Sequence, residues 1–287
     1  MTKFDAFAYD EYKDYLIYKE LLERETDPEL KKVLTEIVGH QFEHYGFWET
    51  LSTKKEFVIP PYKIWFFRMI RKVLGLTFTL RFLERDEREA IKRYKELLAT
   101  TKEPPIKERL KKIIYHEEYH EKRLIGEIKE EKVEFISSII LGLNDGLIEL
   151  MGALVGFSFA FNNHTVVALT GLITGVAASL SMASSAYMQA RHETGKDARK
   201  SGIYTGVSYI IVVLLLVAPF FFISSSFIAM AVMFFIALFI ISSISYYTAI
   251  IFERNFTNQF GEMLLFSIGV TLITFLIGSF FRQWIGS

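Results

Sequence analysis

Apolar residues recur along the chain in two rhythms, and the change comes near residue 135. Before it they return three and four positions apart among charged residues, a spacing that predicts amphipathic helices over about 4–25, 28–51, 70–100 and 105–134. Thr26-Asp27-Pro28 reads as a stop, an N-cap and a first-turn proline, and Pro104-Pro105 punctuates the second pair in the same way. Two helical hairpins follow, and the long link near 52–69 suits a four-helix bundle with one crossover. After residue 135, apolar runs long enough to cross ~30 Å of hydrocarbon alternate with short polar breaks. Five spans are expected, at about 135–161, 166–190, 203–223, 226–252 and 260–281. The fold class is therefore all-α, with a helical domain over 1–134 and a five-span membrane domain over 135–287.

Each amphipathic stripe is broken by polar groups. On the first helix it runs Phe4, Phe7, Ala8, Glu11, Tyr15, Tyr18, Leu22, and on the second Leu34, Ile37, Gln41, Tyr45, Trp48, with His44 beside Gln41. The third runs Leu80, Leu83, Glu84, Glu87, Ile91, Tyr94, Leu98, and the fourth Leu110, Ile113, Glu117, His120, Leu124. Counted from the Asp27 and Pro104 turns, these interruptions come level in antiparallel hairpins, roughly 20 to 25 Å from each turn at ~1.5 Å per residue. Buried carboxylates are costly without a cation, so Glu11, Gln41, His44, Glu84, Glu87, Glu117 and His120 form a candidate metal site. His40 and Glu43 point about 100° away from the second stripe.

Charge sharpens the division. Of the 33 Lys and Arg and the 33 Asp and Glu, 27 of each fall before residue 135, so the net charge of zero averages two unlike halves. Balanced charge argues against a nucleic-acid partner. No cysteine occurs, which excludes disulfides and thiolate metal sites. The first residues lack a basic start and a short apolar core, so no signal peptide is expected and the N-terminal half should stay in the cytoplasm. Arg191, Lys196, Arg199, Lys200 and Arg254 fall in the second and fourth breaks between spans, while the first and third carry no Lys or Arg. The positive-inside rule then puts those breaks in the cytoplasm and the C-terminus outside, in the cell (inner) membrane.

The first span holds Asn144, Asp145 and Glu149, the last two on one helix face. Charges within a span are expensive, so the pair suits a hard divalent cation or a proton relay; solvated or paired carboxylates at the span's end are the structural alternative. Met182 in the second span is usually packing, and a transition-metal ligand only in company. Glycines four apart, such as Gly142/Gly146 and Gly202/Gly206, predict tight helix packing, or more sharply a dimer interface. The crossover mixes Trp65, Phe66, Phe67, Met69 and Ile70 with Lys63, Arg68, Arg71 and Lys72. It is expected on the cytoplasmic membrane surface, aromatic side down, near the transport path, or else as a buried connection.

These residues carry a resemblance. Glu11, Glu84, Glu87, His44 and the Glu117/His120 pair resemble the di-iron sites of ferritin-like and rubrerythrin-like domains. The membrane half, with Gly142-Leu-Asn-Asp-Gly-Leu147 in the first span and the small-residue stretch Ala177–Ser185 in the second, resembles the vacuolar iron transporter (CCC1-like) family. Together they are similar to that family's ferritin-like fusions, of membrane-bound ferritin type. The resemblance implies a ferritin-like domain on a homodimeric Fe2+ transporter that exports from the cytoplasm by proton exchange. It implies Mn2+ or Zn2+ as further ions and Asp145, Glu149 and Met182 as the path. Two departures stand out: Gln41 replaces the glutamate of a Glu-x-x-His, and Thr174 stands where an acidic residue would precede the methionine, a charge Glu149 could supply. The competing reading is a membrane-anchored di-iron oxidase or peroxidase, with ferroxidase activity in the bundle. A metal-sensing gate is a third.

Overall fold

The computed structural model describes residues 2–127, 136–161, 163–193 and 195–285, without the side chains of 121, 122, 124–127 and 282–285. Among them every regular element is a helix: α1 (Lys3–Glu23), α2 (Pro28–Leu51), α3 (Pro61–Leu74), α4 (Leu76–Thr100), α5 (Pro104–Glu127), α6 (Ile136–Ala160), α7 (His164–Ala190), α8 (Ala198–Phe222), α9 (Ser226–Ile251) and α10 (Phe256–Ile285). The chain forms two compact units, Met1–Glu130 and Glu131–Ser287. The domain border expected at 134/135, the last turns expected of the fourth helix and the expected core side chain Leu124 lie outside the described residues.

In the first unit the caps act where the sequence placed them. Asp27 accepts from the backbone N–H groups of Glu29 and Leu30, and Pro28 opens α2. The expected third helix differs in one respect: it is two helices, broken at Gly75, whose φ of 90° lies in the left-handed region that glycine enters without cost. Residues 70–74 thus belong to the crossover helix α3. Its basic side chains hold it to α1: Arg68 Nε lies 2.9 Å from Glu20, Arg71 bonds the Leu21 carbonyl and Glu25, and Lys63 Nζ reaches the Tyr9 hydroxyl. Phe67 faces inward, while Tyr62, Trp65, Phe66, Met69 and Val73 form one exposed stripe.

Two apolar layers fill this unit. One joins Ile17, Tyr18 and Leu21 of α1 to Leu34 and Ile37 of α2 and Leu80 and Leu83 of α4. The other joins Phe7 of α1, Trp48 of α2, Ile91 and Tyr94 of α4, and Leu110 and Ile113 of α5. In sequence Glu11 of α1, Gln41 and His44 of α2, and Glu84 and Glu87 of α4 fall between those two sets. Burial at ~25 cal/mol per Å² makes the layers the main source of stability, and they also shut the slice between them from solvent.

The second unit contains five helices long and apolar enough to cross a membrane, Ile136–Ala160, His164–Ala190, Ala198–Phe222, Ser226–Ile251 and Phe256–Phe281. Small residues bring them close. A Cβ at Gly142 would overlap the Thr205 carbonyl of α8, one at Gly175 would lie 2.6 Å from Val213, and one at Gly278 2.6 Å from the Gly156 carbonyl. The glycine pairs therefore serve packing within the chain. Leu147, Leu150, Leu154, Tyr209, Val213 and Leu216 close the core that results. Gly142→Val places a side chain against a backbone carbonyl that cannot rotate away, so it should cost about 1–3 kcal/mol. Thermal unfolding of the detergent-solubilised chain, compared with Gly269→Val where a Cβ meets open space, checks this; equal losses would contradict it.

Candidate metal centre and membrane carboxylates

α1, α2 and α5 bring Glu11, His44 and Glu117 together, with one donor atom from each within 4.8 Å of the others and all three buried. His44 Nδ1 lies 2.8 Å from Glu117 Oε1 and 3.5 Å from Glu11 Oε2, near both yet aligned for a hydrogen bond with neither. Gln41 Nε2 stands 3.3 Å from both Glu117 oxygens, and its own Oε1 takes no hydrogen bond. His120 Nδ1 is 3.5 Å from Glu117 Oε2. Two tyrosines hold carboxylates from behind: Tyr94 donates to Glu11 at 2.6 Å and Tyr18 to Glu87 at 2.8 Å.

Glu84 and Glu87 are buried on α4, Glu84 with Arg81 at 3.8 Å. Among the described residues the one group of three converging donors is Glu11, His44 and Glu117. Glu84, Glu87 and His120 are buried without closing a second such group.

The electrostatics follow from burial. Burial raises Glu11 and Glu87, Glu87 far above the ordinary carboxylate range. It would raise Glu117 as well, but the imidazoles of His120 and His44 beside it outweigh burial and bring that carboxyl down to about 2. Burial opposes charge on His44, yet Glu11 and Glu117 carry its pKa up to about 9. The layer thus holds a proton on His44 where a cation would answer the same charge. Carboxylate oxygens and imidazole Nδ1 atoms that converge without good hydrogen bonds are a donor set for Fe2+, Mn2+ or Zn2+.

Two residues against this site lie off the sequence stripes, His40, which helix phase spoke against, and His116, which the stripes did not include. Asp14, three after Glu11, is paired with Lys13 at 3.2 Å and is pushed up by burial to about 7. His40 lies off the α2 stripe by helix phase, but its Nδ1 reaches His120 Nε2 at 2.7 Å across to α5. Glu43 stays outside, engaged by Arg109 and Lys112 at 3.4 Å.

In the second unit Asp145 is half-buried and Glu149, one turn on, is exposed in the single chain. The Tyr209 hydroxyl of α8 donates to Glu149 Oε2 at 2.7 Å. Gly146 makes room for that ring, since a Cβ there would meet it at 3.3 Å. Asn144 Oδ1 is buried and unbonded. It borders a cavity of about 460 Å³ with Thr248, Arg254, Gln259, Glu262 and Met263, the last two a carboxylate and thioether that the sequence reading placed within the fifth span without assigning them a role. Met182 packs half-buried against the span core, and no hydrogen bond joins it to Asp145 or Glu149 among the described residues.

Residues 136–197, which span α6, α7 and the break after them, match the model of the VIT family. No curated protein and no solved structure gives a significant match. The match and the five apolar helices agree on an integral membrane protein.

The protonation of this buried cluster gives stability a direction with pH. His44, Glu11 and Glu87 hold protons more tightly folded than unfolded; His44's share is fully present below its unfolded value of 6.5 and lost as pH rises through about 9. His40 and His116, lowered by burial, and Glu117 are deprotonated in both states above about pH 7. With a chelator present, the urea midpoint should therefore fall between about pH 7 and 9.5. Fluorescence of buried Trp48, with Trp65 and Trp284 replaced by Phe, reads it; a level midpoint would remove the His44 ion pair.

Proposed function

We propose that this chain carries a divalent transition-metal cation, Fe2+ foremost and Mn2+ next, across the membrane, and that its first unit is a ferritin-like metal-collecting domain. The observation that carries this is a carboxylate pair, Asp145 and Glu149, within the first of the two spans that match the VIT family, next in the chain to Asn144, which lines a polar cavity. A charge within a span costs several kcal/mol unless it lines a path or is paired. An enzyme that used its spans only as an anchor would need neither carboxylate, which favours transport over the oxidase reading.

The direction we favour is export from the cytoplasm by proton exchange, because carboxylates can take a proton as the ion leaves and the basic loops fit a cytoplasmic face. The cavity at Asn144, Glu262 and Met263 supplies an entrance of mixed oxygen and sulfur donors. A second copy covering the exposed Glu149 face of α6 accounts for a carboxylate that would otherwise meet lipid. Tyr62, Trp65, Phe66 and Met69 of α3 suit the headgroup region of the bilayer. Spin labels at 65 and 69 of the full chain in vesicles should report lipid contact, and labels that stay in water would discard that surface role.

Asp145→Asn keeps size and hydrogen bonding but removes the charge. It should abolish Fe2+ flux into proteoliposomes while the variant still folds and its first unit still binds metal. Wild-type flux from that variant would make the charge structural and shift the role to Glu149.

A further inference from the structure

α2 and α5 carry the same short signature, His40-Gln41-Phe42-Glu43-His44 and His116-Glu117-Glu118-Tyr119-His120. In each, the second histidine turns Nδ1 toward the Glu117 carboxylate, at 2.8 Å for His44 and 3.5 Å for His120. Its Nε2 is bonded to the first histidine of the other helix: His44 Nε2 to His116 Nδ1 at 3.1 Å, His120 Nε2 to His40 Nδ1 at 2.7 Å. The bonds cross, and the two first histidines come together. Their rings stack with centroids 3.8 Å apart and planes 18° from parallel. Exposure steps outward along the same route: His44 and His120 are 1% exposed, His116 is 8% exposed, and His40 is half-buried.

We infer that His40 and His116 form an outer cation site, one step from the carboxylate centre, which takes a divalent transition metal through their Nε2 atoms. The inference rests on reading the centre itself as a metal site. Those two nitrogens take no hydrogen bond among the described residues, since the Nδ1 atoms are the ones spent on the inner histidines. Two imidazoles bound to one cation at ~2.1 Å must each aim an in-plane lone pair at it, so the nearly parallel rings have to swing apart into an open fan, pivoting on the Nδ1 bonds that hold them to His44 and His120. Glu43, the nearest α2 carboxylate in sequence, is held by Arg109 and Lys112 instead.

The chemistry suits an entrance. Carboxylates alone accept Mg2+ and Ca2+ readily, whereas imidazole favours the later transition metals, so a histidine pair ahead of the glutamates selects before they bind. Two protein donors with water in the remaining positions hold an ion loosely enough to pass it on.

Co2+ titration of the full-length chain in detergent, by visible absorption and equilibrium dialysis, tests this. His40→Gln/His116→Gln keeps amides that can bond His44 and His120. The wild type should show a tight class and a weaker class of one Co2+ per chain, the weaker unmoved by excess Mg2+. The double variant should lose only the weaker class, and Glu117→Ala only the tight one. If the double variant keeps both classes, or loses tight affinity while keeping the count, the outer site falls and the pair merely positions His44 and His120. Unchanged tight binding in Glu117→Ala would instead overturn the reading of the centre, and leave the outer site to be judged by its own variant.

Discussion

Buried negative charge is the constraint on which the first unit depends. Glu11, Glu84, Glu87 and Glu117 are each under a tenth exposed, and an uncompensated buried charge costs about 3–5 kcal/mol when a partner is removed. The surroundings are organised around that cost. Tyr18 and Tyr94 reach carboxylates with their hydroxyls, and each also belongs to an apolar layer. His44 stands between two glutamates and keeps its proton well above the ordinary histidine range. The apolar layers supply the stability that tolerates a polar slice, and they exclude the water that would otherwise screen it.

In the membrane unit a similar economy runs through α6. Gly142 and Gly146 lie against α8, while Asp145 and Glu149 each follow a glycine by three positions, about 60° round the helix at 3.6 residues per turn. Close packing and charge are thus on adjoining faces. Tyr209 links them: its ring fills the space Gly146 leaves, and its hydroxyl bonds Glu149. A packing glycine therefore also positions a carboxylate, and a methyl group added at 146 would reach both functions through one ring.

Much of this was legible from the chain because the signals were local. Asp27-Pro28 and Pro104 are strong helix starts, and counting from them levelled Glu11 with His44 and Glu117, the three donors that converge. The spans followed from unbroken apolar runs, within a few residues of α6 to α10. Gly75 was missed because helical periodicity continues on both sides of it, and a lone glycine within such a pattern does not announce a positive φ. His40 was set aside on helix phase, and His116 passed over, for another reason. Helix phase gives the direction of a Cβ, but an imidazole several bonds long can reach a partner on a neighbouring helix, and that partner exists only once α2 and α5 are packed.

Gln41 has a consequence of a different kind. It occupies in α2 the place that Glu117 occupies in α5, directly after the first of two histidines four apart, so that position is neutral on one helix and acidic on the other. The glutamates named above carry four negative charges when ionised, and a glutamate at 41 would make five. Four is the charge that a pair of doubly charged ions neutralises, while a trivalent product of oxidation would leave an excess that nothing in that count answers. If the layer binds metal as proposed, an amide at this position tilts it toward ions it can give back, and away from ones it would have to store.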